Sequence, residues 1–490
     1  QTRNKLIPFN FGLCLLNTGK IDAAIEAFKM ACQLDDSFID AWENLANVLV
    51  KGNRYQEALK VTKKILELNP DNFEAQVTLS RIYYNSENLE QAICAILQSL
   101  KLKPDNPDAH LALGGIYQTL GNLDQALSTS LKALALKPDN PPAINNIYQL
   151  VQKININSSN TTNLLRSYEL LLNHKSVSHN KLSNIFLLAF LSTLREAGTS
   201  DPIISGKNKA FMALANDWRF RKSLVLMITS NSEAEIFLTR VRKELLTMTM
   251  TAEGIPSNLR LLTEALAVQC FLNEYAFFAS QAEEQYASQL IDSVADNQEL
   301  LNQHLAIIGC YIPIYKTILK LELINNYPTY GDESRELINT QFHEPLQERN
   351  IESELKGRST VTNPTSLNVQ DMYEKNPYPR YKCANYISST MASTISEVIQ
   401  RGATKSNLVF PKGLIAEKDS AKVLIAGCGT GNQVVNASSY RNAHITAIDF
   451  SISSLAYAIR KTKEYEMNNV SFQQMDILNA AELGDMFDVI

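Results

Sequence analysis

"KVLIAGCGTGNQVV", residues 422 to 435, is an apolar run of strand length that breaks into three glycines on alternate positions and then resumes as apolar-rich helix. Lys422 to Ala426 reads as a buried parallel strand, and Gly427, Gly429 and Gly431 as the turn into a helix. Glycine removes side chains there, so a ligand can press against the main chain and meet unpaired amide N–H groups at the helix start. A tight strand-to-helix bend also wants glycine without any ligand, so the weight falls on the chain downstream of the turn.

A second apolar strand, "HITAIDF" (444 to 450), ends in Asp449, 22 residues after Gly427. That is close to the roughly 20-residue spacing at which an acid meets ribose hydroxyls. The helix "SISSLAYAIRKTKEYE" (451 to 466) opens on a serine suited to capping. A third strand, "VSFQQ" (470 to 474), leads to Asp476, where an acid can accept from an adenine amino group, and "FDVI" (487 to 490) starts a fourth strand. Alternating strands and helices make a doubly wound, Rossmann-like α/β sheet with its ligand at the carboxyl ends of the strands. Dinucleotide sites space their glycines G-x-G-x-x-G/A, whereas here the third glycine comes one residue early and Asn432 holds the sixth place. This tells against NAD and a nicotinamide-dependent oxidoreductase.

The G-x-G-x-G turn, the acid after the second strand and the aspartate after the third together resemble the class I S-adenosylmethionine-dependent methyltransferases. The resemblance covers roughly residues 420 to 490. It implies S-adenosylmethionine as cofactor, with Gly427, Gly429 and Gly431 receiving its methionine and ribose portion, Asp449 the ribose, Asp476 with Ile477 the adenine, and Phe450 packing on the adenine ring. One departure is Ile425, two residues before the first glycine, where many members carry an acid. The family's later sequence, which would supply the rest of the sheet and the groups near the methyl acceptor, has no counterpart here, so no catalytic residue is assigned. With Gln1 opening the chain inside a helical pattern and Ile490 ending it on an unprotected strand, the sequence reads as a fragment, expected to be inactive alone with a poorly stable terminal domain.

Upstream, sliding the sequence against itself by 34 residues aligns Ala24, Ala58, Ala92 and Ala126, each followed seven residues later by Ala31, Ile65, Ser99 and Ala133. Three repeats close on "LELNPDN" (66 to 72), "LKLKPDN" (100 to 106) and "LALKPDN" (134 to 140). Small residues let paired helices approach, while Pro70, Pro104 and Pro138 forbid continuation and set the turn between units. This resembles the tetratricopeptide repeat in four copies over residues 5 to 140, the first carrying Asp36 where the others have proline. Such stacks expose a concave groove that holds a peptide or partner protein. Here the groove is expected to be lined by Asn47, Lys51, Arg81, Tyr84 and Gln118, residues that equally suit a plain solvated face. Asn10 and Asn44 share a repeat position that Thr78 and Ala112 break.

Residues 141 to 365 read as a helical middle region with polar linkers, among them "KININSSNTTN" (153 to 163) and "KGRSTVTNPTSLN" (356 to 368). Within its apolar run 258 to 278, Asn273 and Glu274 are either functional or a polar pair satisfied by partners. The terminal domain is taken as residues 366 to 490. It opens with "YEKNPYPRY" (373 to 381), where Pro377 and Pro379 stiffen a segment flanked by Tyr373, Tyr378 and Tyr381. The segment is either a lid over a ligand pocket or a rigid connector.

The whole order, repeats, then "CFLNEYAFF" (270 to 278), "YEKNPYPRY" and "LIAGCGTGN" (424 to 432), also resembles bacterial tetratricopeptide-repeat methyltransferases. It implies a methyltransferase whose repeats recruit a protein or peptide substrate, or a partner that brings one. The alternative is a repeat scaffold whose nucleotide-fold domain binds cofactor without turnover. Composition, 45% hydrophobic and 20% charged with net charge -5, is ordinary globular material and argues against a protein that coats nucleic acid. Seven scattered cysteines without a C-x-x-C pair give neither a disulfide framework nor a zinc site, and the isolated histidines give no metal site. No apolar stretch approaches the roughly 18 to 20 residues of a membrane span. A reducing cytosol is the expected compartment.

Overall fold

The computed structural model describes residues 4–155, 160–251, 254–317, 321–355, 374, 379–388, 391–398, 420–484 and 486–490. The linker at 356 to 368 lies outside the described residues, as do Tyr373, Pro377 and Tyr378 of the aromatic segment and part of the loop at 153 to 163. Contacts divide the chain into two compact units, Gln1–Ser167 and Tyr168–Ile490.

The first unit is a solenoid of helix pairs: α1 (Leu6–Asn17) with α2 (Ile21–Leu34), α3 (Ile39–Lys51) with α4 (Tyr55–Leu68), α5 (Phe73–Asn85) with α6 (Leu89–Leu102), and α7 (Pro107–Thr119) with α8 (Leu123–Leu136). A further helix, α9 (Pro141–Val151), packs on the last pair. All eight small or apolar positions of the 34-residue repeat, from Ala24 to Ala133, are buried completely. A second small series lies on the first helix of each pair: Gly12, Ala46, Ser80 and Gly114, all buried. A Cβ on Gly12 would stand 2.7 Å from the Phe28 ring, and one on Gly114 2.9 Å from Ser130 Oγ. These positions are where the paired helices touch.

The closing motif works at both its ends. The residue before each proline, Asn69, Lys103 or Lys137, leaves the helix for an extended or near-extended backbone, since proline disfavours the α region in the residue preceding it. The asparagine two places after the proline then caps the next helix: Asn72, Asn106 and Asn140 accept from the amides of Ala75, Ala109 and Ala143 at 2.7, 2.9 and 3.2 Å. The first copy makes the same turn without proline. Asp35 is extended, and its carboxylate accepts from the Ser37 amide at 2.9 Å, the Ser37 hydroxyl at 2.7 Å and the Lys5 ammonium at 2.5 Å.

The second unit begins with packed helices, from Ser183–Gly198 through Arg260–Leu272 to Glu344–Leu355, and ends in a parallel sheet. Strands β1 (Ala421–Ala426), β2 (Ala443–Asp449) and β3 (Val470–Gln474) lie in the order β1-β2-β3, with Val423 opposite Ile445 and Ile445 opposite Val470. The fourth strand expected at 487 to 490 is only a bridge between Val489 and Val423, on the edge of β1 away from β2. Beside the bridge, the Asp488 carboxylate takes the Lys422 amide at 2.9 Å, a donor that a continuing strand would use. Strand order therefore reverses at β1.

The sheet does not stand alone. Ile351 and Leu355, from the helix Glu344–Leu355, enter one core with Val423, Ile425, Ile445 and Leu455. Beside this core runs a relay of buried and half-buried charges. Glu348 accepts from Arg460 Nε at 2.8 Å and lies 3.5 Å from Arg380 Nη1. Arg380 Nε donates to Glu274 at 2.7 Å, and Lys382 reaches both Glu336 and Glu344 at 2.9 Å. Burial alone would lift the Glu344 carboxyl, but Lys382, Arg460 and Lys461 hold it well below the ordinary glutamate range. Its contribution to stability is present above the unfolded value of about 4.3 and is lost as pH falls below it.

Two substitutions test this packing. Gly114→Ala should lower the unfolding free energy of the solenoid and Gly115→Ala should raise it, the latter by up to about 1 kcal/mol, because a Cβ on Gly115 meets open space while alanine is the better helix former. Glu348→Ala should destabilise the second unit by about 1.5–3 kcal/mol, since it takes one carboxylate partner from each of two buried guanidinium groups and leaves Arg380 with Glu274 and Arg460 with Glu344. Hydrogen exchange of amides in the helix Ile452–Glu464 reads this loss, and unchanged protection there would contradict the role given to Glu348.

Candidate cofactor site

The carboxyl end of β1 runs straight into the glycine turn. Gly427, Gly429 and Gly431 all have positive φ, at 71°, 50° and 84°. Their surroundings separate them. A Cβ on Gly427 or Gly429 would meet nothing within 4 Å, whereas one on Gly431 would fall 2.6 Å from Ala458 Cβ in the helix after β2. The first two leave bare main chain facing open space. The third packs closely on the helix, so its lack of a side chain serves the fold as well.

Asp449, at the carboxyl end of β2, closes one side of this space. It is largely buried, and its two oxygens accept from separate amides, Oδ2 from Gly429 at 2.8 Å and Oδ1 from Ser451 at 2.9 Å. Each oxygen retains a second lone pair. Burial raises the Asp449 carboxyl above the ordinary range against the pull of these amides, and the nearby Glu374 charge adds to the rise. Ser451 caps the helix Ile452–Glu464 through the Ser454 amide. Glu374 also holds this helix start, accepting from the amides of Ile452 and Ser453 at 2.7 and 3.0 Å and from the Ser453 hydroxyl at 2.7 Å. No local pattern marks Glu374, because its partners lie almost eighty residues downstream.

The remaining predicted residues cluster at the ends of the neighbouring strands. Phe450, directly after Asp449, is half-buried, and its carbonyl accepts from Gln474 Nε2 at 3.1 Å. Asp476 follows β3, buried, with Oδ1 accepting from the Leu478 amide at 3.0 Å, while Ile477 is exposed. Gln474 presents a buried Oε1 without a hydrogen-bond partner among the described residues, an acceptor that no motif marks. Ile425, the departure from the methyltransferase pattern, lies buried in the sheet core.

The segment after Pro379 packs as a connector. Arg380 and Tyr381 are buried, and the Tyr381 amide and carbonyl both bond the Tyr457 hydroxyl, at 2.9 and 2.7 Å. Glu274 is the polar residue satisfied by a partner, through Arg380, while Asn273 Oδ1 has none among the described residues. In the solenoid, Asn47, Lys51, Arg81 and Tyr84 are exposed and Gln118 half-buried. Arg81 donates to Asn47 at 2.5 Å from the same position one repeat on. Among the described residues no group of His, Cys, Asp or Glu could hold a metal ion, and no helix is long and apolar enough to cross a membrane.

Residues 417–490 match a family model described as a methyltransferase domain. Residues 9–38 match a tetratricopeptide repeat model, and 52–133 the model of the anaphase-promoting complex, cyclosome, subunit 3. No curated protein matches the chain. Similar solved structures include a thermophilic TPR protein of Thermus thermophilus, at 24% identity, covering 34% of this chain and 90% of that one with a TM-score of 0.29. MamA from Desulfovibrio magneticus RS-1 is 18% identical over 35% of this chain and 97% of its own, with a TM-score of 0.31. YrrB, described as a TPR protein with an unusual peptide-binding site, is 20% identical over 35% and 86%, with a TM-score of 0.28. The chain thus combines tetratricopeptide repeats with a C-terminal methyltransferase domain.

Proposed function

We propose that the chain is an S-adenosylmethionine-dependent methyltransferase whose repeats recruit a protein or peptide, either the substrate or a partner that brings it. One observation carries the cofactor assignment. Two glycines in left-handed conformation face open space at the strand-order reversal, with a buried carboxylate bonded to the amide of the second. The fit to the cofactor is favourable: bare main chain at Gly427 and Gly429 suits the methionine and ribose portion, and the free lone pairs of Asp449 suit two ribose hydroxyls. Asp476, Ile477 and the Phe450 ring suit the adenine. Gly431 shapes the turn through its packing on Ala458.

S-adenosylmethionine, when bound, supplies a sulfonium methyl group for in-line displacement by an acceptor nucleophile. The chain's residues contribute by orientation, which is the larger part of such catalysis. Asp449, itself fixed by two amides, orients the ribose without having to reorganise. The seven free cysteines suit a reducing cytosol. The exposed Asn47, Lys51, Arg81 and Tyr84 on successive first helices offer polar groups to an extended peptide backbone.

Calorimetry of the protein with S-adenosylmethionine tests the cofactor assignment. Asp449→Ala should weaken binding by about a hundredfold, the worth of two sheltered charge-assisted hydrogen bonds. Gly429→Ala should abolish binding with a stability loss of only about 1–2 kcal/mol, from its positive φ, whereas Gly431→Ala should destabilise the domain itself. No heat of binding from the unaltered protein, or equal binding by Asp449→Ala, would refute the assignment.

A further inference from the structure

Tyr381 does not belong to the walls of the cofactor seat, yet it grips the turn that forms them. Its hydroxyl donates to the Thr430 carbonyl at 3.1 Å, and the Thr430 hydroxyl donates to the Pro379 carbonyl at 2.8 Å. Thr430 stands between Gly429 and Gly431 and is buried, so one short segment holds both its side chain and its main chain. A turn with three glycines has little stiffness of its own, because glycine loses more conformational freedom on ordering than any other residue. Its shape must be imposed from outside. Asp449 does this at the Gly429 amide, and Tyr381 with Pro379 does it one residue later.

The grip is itself anchored. Tyr457 bonds the Tyr381 amide and carbonyl, and the Tyr381 and Tyr457 rings meet edge to face with centroids 5.6 Å apart. Next in sequence, Arg380 donates to Glu274, and its guanidinium lies 4.7 Å from the Phe271 ring. Phe271 and Glu274 belong to the helix Arg260–Leu272 and the turn after it, in the helical middle region. Helix, arginine, tyrosine and glycine turn form one continuous set of contacts.

We propose that Tyr381 is a positioning residue for the cofactor, holding Thr430 so that Gly427 and Gly429 present their bare main chain already shaped, with Arg380 and Glu274 as its fixed support. The proposal rests on the methyl-donor reading above. It gives the helical middle region a part in cofactor binding that neither the repeats nor the sheet can supply.

The test uses the full-length chain with Tyr381→Phe, Thr430→Val and Thr430→Ser, titrated with S-adenosylmethionine and with adenosine, which lacks the amino-acid part of the cofactor. Tyr381→Phe and Thr430→Val should each weaken S-adenosylmethionine by about three- to tenfold, the effect of one buried hydrogen bond, and adenosine by less than about twofold. Thr430→Ser keeps the hydroxyl and should bind as the unaltered chain does. Equal weakening of both ligands would mean general damage to the domain and would overturn the proposal, as would undiminished S-adenosylmethionine binding by both hydroxyl-deleting variants. If the unaltered chain binds no S-adenosylmethionine, the methyl-donor reading falls and this proposal with it, an outcome distinct from the other two.

Discussion

Glu348 sits between two arginines where little water reaches. Its carboxylate serves Arg460 through one oxygen and Arg380 through the other, and all three side chains are almost fully buried. Charges taken out of water are costly unless each finds its partner with good geometry, so the three groups constrain one another's positions more strongly than apolar contacts of similar size would. Arg460 belongs to the helix that follows β2, Arg380 to the segment that enters the α/β domain, and Glu348 to the last described helix of the middle region. One carboxylate thereby fixes three pieces of chain.

Both arms of this arrangement end at the glycine turn. Through Arg460 the helix Ile452–Glu464 is held with Ala458 against Gly431, and its capped start lies directly after Asp449. Through Arg380 the neighbouring Pro379 and Tyr381 are held against Thr430. The aromatic rings fill the space between the charges: Arg380 and Arg460 lie 5.5 and 4.8 Å from the Tyr457 ring, which adds cation–π attraction in a sheltered place. A seat for a small ligand built on main chain depends on such support, because the glycines that make room for the ligand contribute no packing of their own.

The parts of the molecule legible in the sequence are those whose cause is local. Ala24, Ala58, Ala92 and Ala126 repeat at a fixed interval because each helix pair meets the same neighbour, and the strands with Asp449 at the end of the second follow from hydrophobic pattern and spacing. The asparagine caps at 72, 106 and 140 and the small series from Gly12 to Gly114 were equally periodic, and the same comparison at 34 residues reveals them once helix ends are considered. What stayed hidden is set by tertiary contact. Nothing near Gly431 in sequence announces Ala458, and no spacing rule joins Glu274 to Arg380 or Glu348 to Arg460. Likewise, the strand pattern of "FDVI" gave no hint that the Asp488 side chain would take the amide of Lys422.

The most direct measurement of the central claim is a crystal structure of the full-length protein grown with S-adenosylhomocysteine. The account predicts the ribose hydroxyls within hydrogen-bond distance of Asp449 and the amino-acid end of the ligand lying over Gly427 and Gly429, with the Tyr381 to Thr430 contact unchanged. A ligand bound elsewhere, or a turn closed by the protein's own side chains with Asp449 directed into solvent, would contradict it.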